Sequence, residues 1–180
     1  MPTNLDTPAG EPREIQLPAG LLDDLRTSAG PRVLESAGRS AGTWLAWNLR
    51  AVLATDDLSK APSHAFWDAL DEILRSRGWG RLRQERVHSG LGVIVAEEWI
   101  EGAQSDSDPS DPDPGCPFTV GLLSEVFGAV AGHPISVIET ACEGHGNDTC
   151  RFVFGTDAAV AELRVRLDRG LSEEAALAAF

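Results

Sequence analysis

Apolar residues recur at helical spacing through the first half of the chain. Leu21 to Leu25 suits a short helix, and Pro31 opens a long one predicted to run to about Ala54. Along it Leu34, Ala37, Ala41, Leu45, Leu49 and Val52 form one stripe, while Gly38, Ala41 and Gly42 leave room for a second helix. The helix expected there is Pro62 to Arg77, with Phe66, Leu70, Ile73 and Leu74 as its inner face. The period then changes. Trp79 to Val87 and Gly92 to Glu101 read as strands around a turn at His88 to Gly90. In the second, Leu91, Val93 and Val95 alternate with Gly92, Ile94 and Ala96, so both of its faces should be covered. Pro117 starts another helix, carried by Leu122, Leu123, Val126, Phe127 and Val130 and stopped by Gly132 and Pro134. Ile135 to Ala141 is a β-branched strand, Gly144 to Asn147 has turn chemistry, and Thr149 to Phe154 is the returning strand. Thr156 caps a helix from Asp157 to about Asp168 with Val160, Leu163 and Leu167 on one side, and Ser172 caps a last short one after Gly170.

Two stretches stand outside this pattern. Residues 1–18 hold four prolines and few large apolar side chains, and read as a flexible arm before a single domain at 19–180. Residues 102–115 carry four aspartates, three prolines and no basic residue, the composition of a disordered acidic loop. A calcium loop would need alternating aspartates and a distant glutamate, and that pattern is absent. With 180 residues and 42% hydrophobic content, the rest suits one folded unit. A net charge of −13 argues against direct contact with nucleic acid or an anionic membrane, both of which need clustered Lys and Arg. Neither a signal-peptide pattern nor a membrane span is visible, so a cytoplasmic location is expected. In that compartment thiols stay reduced, and clustered cysteines point to metal more often than to disulfides.

All three cysteines fall within Cys116 to Cys150, where Cys116, Glu139, Cys142 and Cys150 form the spacing C-x22-E-x2-C-x7-C. Cys116 sits at a helix start, whose unpaired N–H groups favour a thiolate. Three thiolates and a carboxylate form a closed donor set, which suits zinc. Glu139 and Cys142 would face opposite sides of a regular strand, so the strand must bend near Ala141 for both to reach one ion. The Gly144 and Gly146 turn permits such a bend, and its N–H groups can support the negative charge. Glu143 and His145 compete as ligands. Three buried thiols beside an exposed glutamate are the plainer alternative.

Five tryptophans and no tyrosine make an uneven aromatic set. Trp44, Trp67 and Trp99, with His88 as a polar contact, are candidates to line a pocket for a flat apolar ligand. Packing in the core or at a dimer interface accounts for the same residues. Glu97 and Glu98 are adjacent and so diverge on a strand, which makes them a poor catalytic pair. Nucleophile elbows, phosphate loops, dinucleotide fingerprints and metalloprotease helices are all absent, so no catalytic residue is assigned.

The run CPFTVGLL…VIETACEGHGNDTCRFVF resembles the 4-vinyl reductase (4VR) domain, a small-molecule-binding module that also forms the sensor region of bacterial phenol- and xylene-responsive activators. The stretch spans about a quarter of the chain. The resemblance implies an α+β fold, helices packed on an antiparallel sheet, similar to subunits of the vesicle-tethering (TRAPP) complex. It also implies a structural zinc at Cys116, Glu139, Cys142 and Cys150, next to a ligand pocket. The expected function is a stand-alone sensor for a small hydrophobic or aromatic molecule, acting through a homodimer or a partner rather than as an enzyme. A scaffold without ligand, or an accessory or reductase in vinyl-tetrapyrrole chemistry, are the alternatives.

Overall fold

The computed structural model describes residue 18 and residues 20–88, 90–103 and 115–180, with residues 86–88 described by their backbone alone. The flexible arm expected at 1–18 and most of the acidic loop expected at 102–115 lie outside the described residues. The helices are α1 (Gly20–Ala29), α2 (Pro31–Val52), α3 (Ser63–Ser76), α4 (Ile100–Ala103), α5 (Pro117–Ala131), α6 (Asp157–Asp168) and α7 (Glu173–Leu177). The strands are β1 (Arg81–His88), β2 (Leu91–Glu97), β3 (Ser136–Ala141) and β4 (Cys150–Gly155). They form one antiparallel sheet in the order β1-β2-β4-β3, so the fold is α+β as expected.

Helices cover both sides of that sheet. One core joins Leu82, Ile94, Ala96, Val137 and Phe152 to α2, α3 and α5. The other joins Leu91, Val93, Ile138 and Val153 to Val160 and Leu163 of α6 and to Ala176 and Leu177 of α7. Every residue from Leu91 to Ala96 is buried, which is why this strand lacks a polar face. Phe154 lies opposite Gly92, where a Cβ would come 2.3 Å from its ring. Thr156 and Ser172 cap α6 and α7 as expected, accepting from Ala159 N and Ala175 N.

The helix that α2 admits closely is α5, not the Pro62–Arg77 segment. A Cβ on Gly38 would lie 2.0 Å from the Phe118 carbonyl oxygen, and one on Gly121 would lie 2.0 Å from that of Glu35. Small residues on both helices let their backbones meet, whereas α3 presents the bulky Phe66, Leu70 and Ile73. The buried stripe of α2 is therefore Leu34, Gly38, Gly42, Leu45, Ala46 and Leu49. Ala37 and Val52, assigned to that stripe from the pattern, are exposed.

A second correction concerns Glu101. The strand predicted to reach it ends at Glu97; Glu98 takes a positive φ of 52°, and the chain turns into α4. Glu101 is then fully buried. No helix of the described residues is long and apolar enough to cross a membrane.

Candidate metal centre

Three elements bring the four donors together. Cys116 is the residue before α5, Cys142 precedes a 3-10 turn at Glu143–His145, and Cys150 begins β4. The expected bend in β3 is a bulge. Glu139 pairs with Phe152 and Ala141 with Arg151, leaving Thr140 as the extra residue. A bulge resets the alternation of the strand, so residues three apart face the same way. The bend thus comes from Thr140 rather than from the Gly144–Gly146 turn, where Gly146 takes a left-handed conformation instead (φ 85°).

The sulfurs are 3.8 Å (Cys116–Cys142), 3.7 Å (Cys116–Cys150) and 4.0 Å (Cys142–Cys150) apart. Tetrahedral zinc with Zn–S bonds of about 2.3 Å places its sulfurs about 3.8 Å apart. A disulfide needs about 2.0 Å, and all three cysteines are free. A carboxylate oxygen of Glu139 completes a set whose ligand atoms all lie within 4.8 Å of one another. Glu139 Oε2 accepts from Cys116 N at 2.9 Å, while its Oε1 is buried with no hydrogen-bond partner. An unsatisfied buried carboxylate oxygen is costly, and a cation among the thiols removes that cost. The residues present therefore fit a zinc ion.

The electrostatics point the same way. Burial, then the charge of Cys142, holds the Glu139 carboxyl up at about 8. Cys142 is pushed far down because Cys116 and Cys150 donate S–H to it, with Gly144 N–H adding to the effect. Cys116 is raised well above its ordinary range by donating to the other two sulfurs and by burial. The bond that Cys150 accepts from Cys116 lowers it, but its own donation to Cys142 and its burial outweigh that and raise it. Without a cation the cluster thus holds one thiolate, on Cys142. A divalent ion lets the remaining donors ionise.

Around the donors, Glu143 N donates to Cys150 Sγ at 3.4 Å, and Asn147 ties down the Cys142 carbonyl through its backbone N and Nδ2. Of the competing ligands, Glu143 turns away to accept from the backbone N–H groups of Trp99 and Glu98. His145 Nε2 is buried without a partner but lies outside the four-donor set. Two glycines pack on the sulfurs. A Cβ at Gly102 would stand 2.4 Å from Cys150 Sγ, and one at Gly115 would stand 2.2 Å from Cys142 Sγ.

Sequence reasoning missed Glu101. It accepts from Phe118 N and Thr119 N, both at 2.8 Å, and from Thr119 Oγ1 at 2.6 Å, so a distant carboxylate satisfies the start of α5. Burial raises its pKa against those bonds and the nearby Arg26. One signal was available: the N-cap of α5 is Cys116, which makes no side-chain cap bond, so the orphan N–H groups needed an acceptor from elsewhere.

The proposed ligand contacts fall in separate places. Trp67 is half-buried among Phe66, Phe127 and Phe154, with Phe127 stacked on Phe154 at 4.4 Å. Trp99 has no exposed surface; it packs on Trp79, and its indole N–H donates to Thr119 Oγ1 at 2.7 Å. Trp44 lies under the Arg77 guanidinium, 5.0 Å from the ring centroid. The His88 side chain lies outside the described residues.

Residues 106–156 match the model of the vinyl-4-reductase (4VR) domain family, and this stretch contains all four donors. The fold is that of a group of solved structures. The phenol-responsive sensory domain of the transcription activator PoxR, solved with phenol, superposes with a TM-score of 0.65 at 20% identity, covering 86% of this chain and 84% of that one. A vinyl-4-reductase family protein from Methanocaldococcus jannaschii gives 0.52 at 18% identity, covering 82% and 85%. A trafficking protein particle complex subunit 3 from Naegleria fowleri, covalently bound to palmitic acid, gives 0.56 at 13% identity, covering 76% and 91%. The resemblance drawn from the cysteine-containing run therefore holds for both the domain and the fold. No curated protein sequence matches the chain.

Proposed function

We propose that this protein is a cytoplasmic sensor domain for a small hydrophobic or aromatic molecule, with a structural zinc ion at Cys116, Glu139, Cys142 and Cys150. The observation that carries the reading is the convergence of these donors beside an aromatic-rich core, in a fold shared with a phenol-responsive sensory domain. Zinc would fix the β3–β4 hairpin and the start of α5, and so the walls of the space between helices and sheet. With every donor position taken by protein, the ion has no open site for hydrolytic chemistry. Trp67 is the contact best placed for a ligand, since it is half-buried within an aromatic group. Trp99, Trp44 and His88 would act around it. Output would pass through a homodimer or a partner at α1 and α2, where Val33 and Trp47 are 54% and 40% exposed.

Native mass spectrometry of the untagged protein, with elemental analysis of the same sample, tests this. One zinc per chain and a small organic mass lost on denaturation are expected, and Trp67→Ala should keep the zinc but lose the organic mass. Absence of metal would overturn the zinc assignment. A ligand-free scaffold is the second reading, favoured by the stack of Phe127 on Phe154, which fills space a ligand would take. Zinc with no affinity for phenols or other small aromatics would select it.

A further inference from the structure

Helix α1 has no fully buried residue, and Leu21, Leu22 and Arg26 are among its half-buried positions. Arg26 reaches from it to the junction beside the metal centre. Its Nη2 donates to the Gly115 carbonyl oxygen and lies 4.0 Å from Glu101 Oε1. Both acceptors belong to backbone that presses on the sulfurs. Gly115 packs on Cys142 Sγ, and Gly102, next to Glu101, packs on Cys150 Sγ and lies near Cys116 Sγ. The same guanidinium therefore holds two pieces of chain whose positions the thiol cluster sets.

We propose that Arg26 is a latch through which occupancy of the metal centre controls the docking of α1, and with it the surface that α1 and α2 offer a partner. The proposal rests on the zinc reading above. With the ion in place the sulfurs hold Gly102 and Gly115, and the planar guanidinium meets a carbonyl and a carboxylate at fixed positions. When the ion leaves, nothing draws the four donors together. The two glycine segments shift with the sulfurs, and a charged, partly buried guanidinium without well-placed acceptors moves out to water. Helix α1, lacking a fully buried apolar anchor, moves with it.

Subsecond hydrogen exchange of residues 20–29 tests the latch, with zinc content measured on the same samples. Chelation of the zinc-loaded protein should raise α1 exchange about tenfold, the size expected for losing a charge-assisted hydrogen bond. Arg26→Ala with zinc retained should do the same, and chelation should then add nothing further in α1. Alanine favours helix more than most residues, so faster exchange there reports undocking rather than lost propensity. Arg26→Lys keeps the charge but not the planar fork, and should fall between. Unchanged α1 exchange after the zinc has left would overturn the coupling, and unchanged exchange in both Arg26 variants would overturn the latch. A protein that takes up no zinc, yet loosens α1 on Arg26→Ala, would overturn the zinc reading and the coupling while showing that Arg26 docks the helix.

Discussion

Replacing Glu101 with alanine tests how the start of α5 is held. The change removes the acceptor for two backbone N–H groups and a hydroxyl, all within 2.8 Å of the carboxylate. Thr119 Oγ1 keeps Trp99 Nε1 as a partner, but the N–H groups of Phe118 and Thr119 are left without their acceptor. An orphaned buried donor costs roughly 1–3 kcal/mol. Arg26 also loses its counter-charge, while release of a desolvated carboxylate returns part of the loss. A net destabilisation of roughly 2–5 kcal/mol follows. At about 2–4 °C per kcal/mol for a domain of this size, the melting temperature should fall by roughly 5–15 °C. Differential scanning calorimetry on zinc-loaded protein reads this directly. A drop under about 2 °C would refute the reasoning, because it would mean that water or a local group can satisfy the α5 N-terminus as well as Glu101 does.

Cys150→Ser should abolish stoichiometric zinc and lower the melting temperature, since Cys150 touches both other sulfurs; elemental analysis and calorimetry check it. Zinc affinity should fall as pH falls, because the ion needs deprotonated donors. With Glu139 held up at about 8 in the metal-free protein, binding at pH 7 should release its proton along with thiol protons, giving a calorimetric heat that depends on the buffer. The same shift has a stability sign. In metal-free protein the raised carboxyl favours the fold below its unfolded pKa near 4.5, and that contribution is lost as pH rises through about 8. Gly121→Ala should destabilise the fold by about 1–3 kcal/mol, despite the better helix propensity of alanine, because the added Cβ meets the backbone of Glu35. Equilibrium denaturation measures it, and a neutral result would mean that α2 and α5 can separate freely.

Much of this protein is legible in the order of its residues. Period and caps locate the elements, since Thr156, Ser172, Gly132 and the alternation in β2 are local signals that act within a turn or a strand. The four donors are legible as well, because their chemistry is rare and their spacing ties two of them to one hairpin. Partner choice is not. Gly38 and Gly42 announce that some helix comes close, but whether α3 or α5 does so depends on which offers a matching strip of small residues in space. The bulge at Thr140 is required by the chemistry, yet its position depends on the register with β4. Glu101 stays hidden altogether. Its carboxylate satisfies N–H groups 17 and 18 residues further along, and a hydrogen bond of that span leaves no local pattern. Local sequence therefore determined the elements and the donor set. Tertiary structure alone decided which elements meet and which polar groups are buried, because those contacts join residues far apart in the chain.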